Sequence, residues 1–281
     1  MIRMTDAEYH AHPAWSASRL KGALMGTMLD CYSRYEAPDR EPFSPNESMK
    51  RGSLVDCFVT EADAFWSRYH VVGDVDRRTK AGKEAWAEAE AVAGGRELIR
   101  EADMANVYAI AARLLADPAI GPILRMRRSS QDPHFWTSAC ARECRYKPDL
   151  ECEDGSLFDL KLSRSAEPRK FAAQSYGLGY DVQLAHYREG YIDRYGKEPS
   201  RIGIIAYEWN SPHNSSLLIA DEDLLACGAE RREIAFRLIE ECRESGRWPS
   251  HGQSALRLPS YADFKSADDD NDLDELGLVY G

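Results

Sequence analysis

One short segment restricts this chain more than any other: two runs of alternating side chains that meet at Asp154-Gly155. Phe135 to Leu162 has the texture of β-strands, and Asp-Gly is a dipeptide that accepts the left-handed backbone of a tight hairpin turn. A three-residue loop of Glu153-Asp154-Gly155, with Gly155 left-handed, pairs Cys152 with Ser156. It then sets Asp149 opposite Asp159 on the neighbouring strand. Along the second strand the side chains alternate. Asp159 and Lys161 share one face, while Phe158, Leu160 and Leu162 point the other way, toward a core. Two carboxylates facing each other across a strand pair repel unless a cation lies between them.

Helical periodicity surrounds this hairpin. A helix is predicted over residues 16–36, capped by Ser16 or Ser18, with Leu20, Leu24, Met28 and Cys31 on one side. A second begins near Glu47 and carries Gly52-Ser53-Leu54-Val55-Asp56. Residues 79–116 read as helix interrupted at Gly94-Gly95 and stopped by Asp117-Pro118. Lys170 to Gly196 reads as helix, Arg201 to Trp209 as an apolar strand, and Asp221 to Arg243 as a last amphipathic helix. This order predicts an α/β or α+β fold with a mixed central β-sheet flanked by helices. The expected organisation is one domain over residues 1–262, with residues 1–130 mainly helical and 131–262 forming the core, followed by a tail at 263–281.

The net charge of −11 is concentrated at one end. Asp263 to Gly281 holds seven acidic residues and one lysine, a local balance of −6 that leaves −5 for the rest. A body this mildly acidic is compatible with a local basic groove for nucleic acid, and the tail reads as solvated disorder or a partner-binding segment. Seven scattered cysteines, without a Cys-x-x-Cys pair, read as reduced and mostly buried thiols rather than a disulfide or zinc framework. No stretch is long and apolar enough for a membrane span, and Met1 to Ala14 lacks a signal-peptide pattern, so a cytoplasmic location is expected.

Paired carboxylates with an ammonium beside them suit Mg²⁺, a hard cation that takes oxygen ligands and keeps several waters; Mn²⁺ is expected to substitute. A metal so held can polarise a phosphoryl oxygen and activate water. Lys161 would orient or deprotonate that water and stabilise charge on the phosphate. Twenty-two residues after Lys161 comes Gln183-Leu184-Ala185-His186-Tyr187, whose spacing puts Gln183 and Tyr187 on one helix face.

These elements resemble a known family. Cys144-Arg145-Tyr146-Lys147-Pro148-Asp149 followed by Phe158-Asp159-Leu160-Lys161-Leu162 is similar to the two catalytic strands of the PD-(D/E)XK nuclease superfamily. The Gln-x-x-x-Tyr element resembles that of RecB-like and lambda-type exonucleases. Trp15-Ser16-Ala17-Ser18-Arg19-Leu20-Lys21, Gly52 to Asp56, Arg78 to Lys83, Trp248-Pro249 and Leu258-Pro259-Ser260-Tyr261 resemble RecE-like phage exodeoxyribonucleases. The resemblance implies a restriction-endonuclease-like core, with Asp149, Asp159, Lys161, Gln183 and Tyr187 catalytic. The metal would be held by Asp149, Asp159 and the Leu160 backbone carbonyl. Asp56 stands where many relatives have a histidine ligand; it is either an oxygen ligand or an ordinary polar helix residue.

The resemblance further implies degradation of linear duplex DNA from the 5′ end, leaving 3′ single strands for phage-type recombination. It implies a single-strand annealing partner of the RecT or Bet type, and a ring-shaped homo-oligomer. Some RecB-like relatives carry an iron–sulfur cluster on one cysteine before the core and three after it. Only Cys227 and Cys242 follow the core here, so no iron–sulfur cluster is expected. An endonuclease or CRISPR-associated nuclease on the same fold, and a catalytically silent DNA-binding relative, are the alternatives.

Candidate contacts to DNA are Ser18, Arg19 and Lys21 at a helix start, suited to a terminal 5′-phosphate, and Arg164, Arg169 and Lys170 just after the catalytic strand. Tyr176, Tyr180 and Trp136 are candidates for stacking on unpaired bases or for ordinary packing. Tyr191 and Tyr195 are expected to pack, and His186 to be structural or to face DNA.

Overall fold

The computed structural model describes residues 4, 6–41 and 44–252. The tail at 263–281 and the segment Leu258 to Tyr261 therefore lie outside the described residues. In chain order the first helices are α1 (Asp6–Ala11), α2 (Ala17–Met25) and α3 (Met28–Cys31), then a π-helical turn (Tyr32–Glu36), α4 (Glu47–Thr60) and α5 (Ala62–Arg68). Next come β1 (Tyr69–Val72), α6 (Lys80–Ala93), β2 (Glu97–Arg100), α7 (Glu101–Ala116) and α8 (Ile120–Arg125). Strands β3 (Arg127–Ser129), β4 (His134–Thr137), β5 (Glu143–Tyr146), β6 (Leu150–Cys152) and β7 (Leu157–Ser163) follow. The chain continues through α9 (Pro168–Gly177), α10 (Tyr180–Tyr195), β8 (Ile202–Glu208), β9 (Ser215–Ile219) and α11 (Glu222–Ser245).

The central sheet is mixed, as expected, with strand order β3-β6-β7-β8-β9. Within this sheet, among the described residues, only β7 and β8 run parallel, joined by the α9–α10 crossover that a parallel pair requires. Both faces of the sheet are covered. Leu157, Ile202, Ile204 and Ala206 pack with Leu20 of α2, Val182 of α10 and Phe236 of α11. Phe158, Leu160, Ile205 and Tyr207 pack on the other face with Val55 of α4, Ile110 of α7 and Ile123 of α8. Double coverage explains why β8 reads as an unbroken apolar run instead of alternating with polar residues.

The hairpin has the register that its turn chemistry predicts. Leu150 pairs with Phe158 and Glu151 with Leu157. Cys152 N–H donates to Ser156 O at 2.9 Å, and Gly155 takes φ +82°, a value that suits glycine.

Elsewhere, tertiary context overrides the sequence pattern. The helix expected over 16–36 is divided, because Thr27 and Asp30 form a capping box that starts α3 anew after Gly26. Residues 170–196 form two helices, with Gly179 left-handed at φ +68° between them. Strands β2 and β9 carried no clear sequence signal. Their local preference is weak, and each exists through pairing with a partner, β1 and β8 respectively.

Two contacts fix the helices nearest the hairpin. The backbone before α2 joins the edge of β5: Trp15 N–H donates to Glu143 O at 2.8 Å and Arg145 N–H to Trp15 O at 2.9 Å. Glu36 then accepts from Arg19 Nε at 2.6 Å and from Arg243 Nε at 2.9 Å, tying α2 to the end of α11. At the α10–α11 crossing a Cβ on Gly228 would lie 2.1 Å from the Asp181 carbonyl oxygen, so the helices touch backbone to backbone. Gly228→Ala must push α11 off the start of α10. The expected loss is about 1–3 kcal/mol of stability, the usual cost of overpacking, measured by urea denaturation. An unchanged midpoint would contradict the close crossing.

Candidate active site

Asp149 stands at the entrance of β6, one residue before the paired part of the hairpin, and so faces Asp159 on β7. Its Oδ2 accepts the Leu160 backbone N–H at 2.6 Å, and its Oδ1 accepts the Gln131 side-chain amide at 2.5 Å. Leu160 can donate there because β6 has ended and no longer claims that edge of β7; the Leu160 carbonyl lies along the same open edge. Asp159 is only 2% exposed. Its Oδ1 accepts from Gln183 Nε2 at 2.9 Å, and its Oδ2 forms an ion pair with the Lys161 ammonium. Asp149, Asp159 and Lys161 thus meet on one side of the sheet, with Phe158 and Leu160 in the opposite core.

Gln183 is oriented from behind. Lys21 of α2 donates from Nζ to Gln183 Oε1 at 2.7 Å, which turns the amide nitrogen toward Asp159. The Lys21 and Lys161 ammonium groups lie 5.2 and 5.4 Å from the centre of the Tyr180 ring. Tyr187, one turn after Gln183, donates its hydroxyl to the Lys147 carbonyl at 3.2 Å and packs against Tyr146. Asp56 approaches from α4, its Oδ1 accepting from the Tyr207 hydroxyl at 2.8 Å.

The electrostatics of this cluster follow from burial. Burial, then repulsion from Asp159, pushes the Asp149 carboxyl up to about 7. Burial and Asp149 also push Asp56 well above the carboxylate range, against the Tyr207 hydrogen bond and Lys161. Lys161 is pulled down by burial, but Asp159 and Asp149 outweigh that and raise it. Lys21 is pushed down to about 7, by burial and by the charge of Lys161.

Crowded, buried acids with one ammonium among them are a donor set that a hard divalent cation would relieve. The Asp159 Oδ2 is buried and, among the described residues, is met by the Lys161 ammonium alone, so a cation taking the place of that ammonium would find its oxygen open. Among the described residues no three His, Cys, Asp or Glu side chains form a complete metal cage. Mg²⁺ does not require one, since it commonly takes one or two carboxylates and keeps waters. Asp149 and Asp159 fit it best, with the Leu160 carbonyl at hand and Asp56 as an outer acid.

The remaining candidates separate clearly. Arg19 is not available to DNA: it is 8% exposed, ion-paired with Glu36, bonded to the Pro13 carbonyl and laid on the Trp15 ring. The long-range partner Glu36 and the bend that delivers it explain why a surface role was expected. Lys21, read from the sequence as a DNA contact, has its ammonium on Gln183 within the site. Ser18, Arg164, Arg169 and Lys170 are exposed, the last three between β7 and the first turn of α9. Trp136 is core, packed on Tyr146 and His186, whereas Tyr176 is exposed beneath Arg231.

Buried His186 bonds through Nε2 to the Arg145 carbonyl at 3.0 Å, and burial pushes it down to about 3, so it is a neutral structural residue. Tyr191 is fully buried and Tyr195 donates its hydroxyl to Glu151, so both pack as expected. Gln131 was missed by sequence reasoning. Nothing in its spacing links it to Asp149, and only the folded loop brings the two together.

Residues 16–256 match the family described as a PDDEXK-like domain of unknown function (DUF3799). The chain belongs to that family. Pro148-Asp149 and Asp159-Leu160-Lys161, which read as a P-D and a D-x-K, lie within the matched residues. No curated protein matches the chain. Among solved structures it is similar to a protein from Eubacterium rectale whose exonuclease assignment is itself provisional. That similarity has 13% identity and a TM-score of 0.64, and covers 95% of this chain and all of that one. An alkaline exonuclease from Laribacter hongkongensis also matches, at 13% identity and a TM-score of 0.26, over 66% of this chain and 97% of that one. Among the described residues no helix is long and apolar enough to cross a membrane.

A carboxyl raised from its usual 3.8 to about 7 on folding holds its proton more tightly in the folded chain. Its stabilising contribution is therefore full below pH 3.8 and fades as pH climbs toward 7. In metal-free protein, the thermal midpoint of Asp149→Asn should gain on wild type as pH rises through this window. Saturating Mg²⁺ should remove the gain. A difference that stays flat with pH would contradict the raised carboxyl.

Proposed function

We propose that the protein is a Mg²⁺-dependent exodeoxyribonuclease that degrades linear double-stranded DNA from the 5′ end. It would release 5′-mononucleotides and leave 3′ single strands for phage-type recombination by strand annealing. One observation carries the hydrolase reading: Asp149 and Asp159 oppose each other across the β6–β7 hairpin, with Lys161 on the same face. Polarity, the recombination role, a RecT- or Bet-type annealing partner and a ring-shaped oligomer rest on the sequence resemblance. Contact with the annealing partner is proposed for the acidic tail at 263–281.

A bound Mg²⁺ would polarise the scissile phosphate and lower the pKa of a water. The protein's own groups do the rest. Asp149 and Asp159 present fixed oxygen donors, and Gln183 keeps one oxygen of Asp159 occupied so that the other faces the site. Lys161 holds its proton among these acids, which suits it to neutralise charge on the phosphate as the P–O3′ bond breaks. The exposed Arg164, Arg169 and Lys170 lie just beyond β7, where they would track the sugar–phosphate backbone.

Asp159→Ala and Lys161→Ala should each cut Mg²⁺-dependent digestion by at least about 10²-fold while leaving the far-UV circular dichroism unchanged. Linear duplexes labelled at the 5′ or the 3′ end, run beside covalently closed plasmid, test activity and direction together. Early release of the 5′ label with an intact plasmid is expected. Nicking of the plasmid would replace the exonuclease reading with an endonuclease one, and full activity in Asp159→Ala would end both.

A further inference from the structure

The two facing carboxylates are each gripped by a side-chain amide, from opposite directions. Gln183, from α10, donates to Asp159 Oδ1 at 2.9 Å. Gln131, from the loop between β3 and β4, donates to Asp149 Oδ1 at 2.5 Å. We propose that Gln131 is a positioning residue of the site, the carboxamide that sets Asp149 for a divalent cation as Gln183 sets Asp159. This rests on the metal-dependent reading above and deepens it.

The loop holds Gln131 firmly and at some cost. Its backbone is left-handed at φ +50°, uncommon for a residue with a side chain. Gln131 N–H donates to the Pro148 carbonyl at 3.0 Å, so the loop is fastened to the turn that carries Asp149 itself. On either side, Ser130 Oγ donates to the Thr60 carbonyl at 3.0 Å, at the end of α4, and Asp132 pairs with Arg194 of α10. The conformation therefore aims one particular side chain at one carboxylate. With the Leu160 N–H on Oδ2 and the Gln131 amide on Oδ1, the plane of the Asp149 carboxylate is fixed from both oxygens.

The amide chemistry matters. Lysine or arginine at this point would neutralise Asp149 and compete with an incoming cation, and a glutamate would repel it. A carboxamide donates a hydrogen bond without adding charge and leaves further lone pairs on the oxygen for the metal.

Two variants of the full-length chain test this. Gln131→Gly removes the amide while accepting the left-handed backbone without strain, and Gln131→Met keeps length and strain but removes the donor. Mn²⁺ is titrated into each DNA-free protein and free ion is read from its EPR signal. Alongside, thermal midpoints and the kcat and KM for linear duplex are measured. The expected result is about 10- to 100-fold weaker Mn²⁺ binding and a matching fall in kcat in both variants. KM for DNA should stay at the wild-type value, and the Gln131→Gly midpoint at or above its wild-type counterpart. Wild-type Mn²⁺ affinity in either variant overturns the role of Gln131 while leaving the nuclease reading intact. A wild-type chain that neither binds Mn²⁺ nor digests DNA overturns the nuclease reading, and this proposal with it.

Discussion

Repulsion between Asp149 and Asp159 is the constraint on which the site is organised. The hairpin register forces the two acids together, and the helices on both faces of the sheet deny them water. Such a pair is tolerated only because neighbours supply what water would have supplied: the Leu160 N–H, two side-chain amides and the Lys161 ammonium. The compensation is incomplete, since Asp149 and Asp56 still hold their protons more tightly than an ordinary carboxyl does. Crowded, buried acids with so little compensation are a donor set that a divalent cation would relieve.

The rest of the architecture can be read as support for that arrangement. The parallel β7–β8 pair requires the α9–α10 crossover, and this crossover returns Gln183 to Asp159. The segment before α2 extends the β5 edge, and this brings Lys21 within reach of Gln183. The aromatic ring of Tyr180 sits beside both lysines and offers each side-chain nitrogen its π-face in one enclosed space.

Much of this was legible in the sequence where the governing forces are local. The Asp154-Gly155 turn and the two-residue period of strands were enough to pair Asp149 with Asp159 and to put Lys161 beside them. Helical spacing was enough to put Gln183 and Tyr187 on one face. What failed depended on partners far along the chain. Arg19 looked like a surface cation because Glu36 reaches it only after a capping box and a π-helical turn redirect the backbone. Lys21 looked equivalent to Arg19, yet their directions on α2 differ, one toward Glu36 and one toward Gln183. Gln131 gave no signal because its role depends on a backbone angle that no periodicity encodes.

The Glu36 carboxylate takes a guanidinium from two distant parts of the chain, Arg19 in α2 and Arg243 in α11. Burial pushes the Glu36 carboxyl up, but the two arginines outweigh it and hold the group below the usual carboxylate range. The clasp makes the helix that presents Lys21 dependent on residues more than two hundred positions downstream. A chain still lacking α11 would keep Gln183 as the partner of Lys21, but the carboxylate that braces α2 would lack the guanidinium of Arg243. The last brace on the helix behind the acids would thus be set by α11, the latest described helix in chain order.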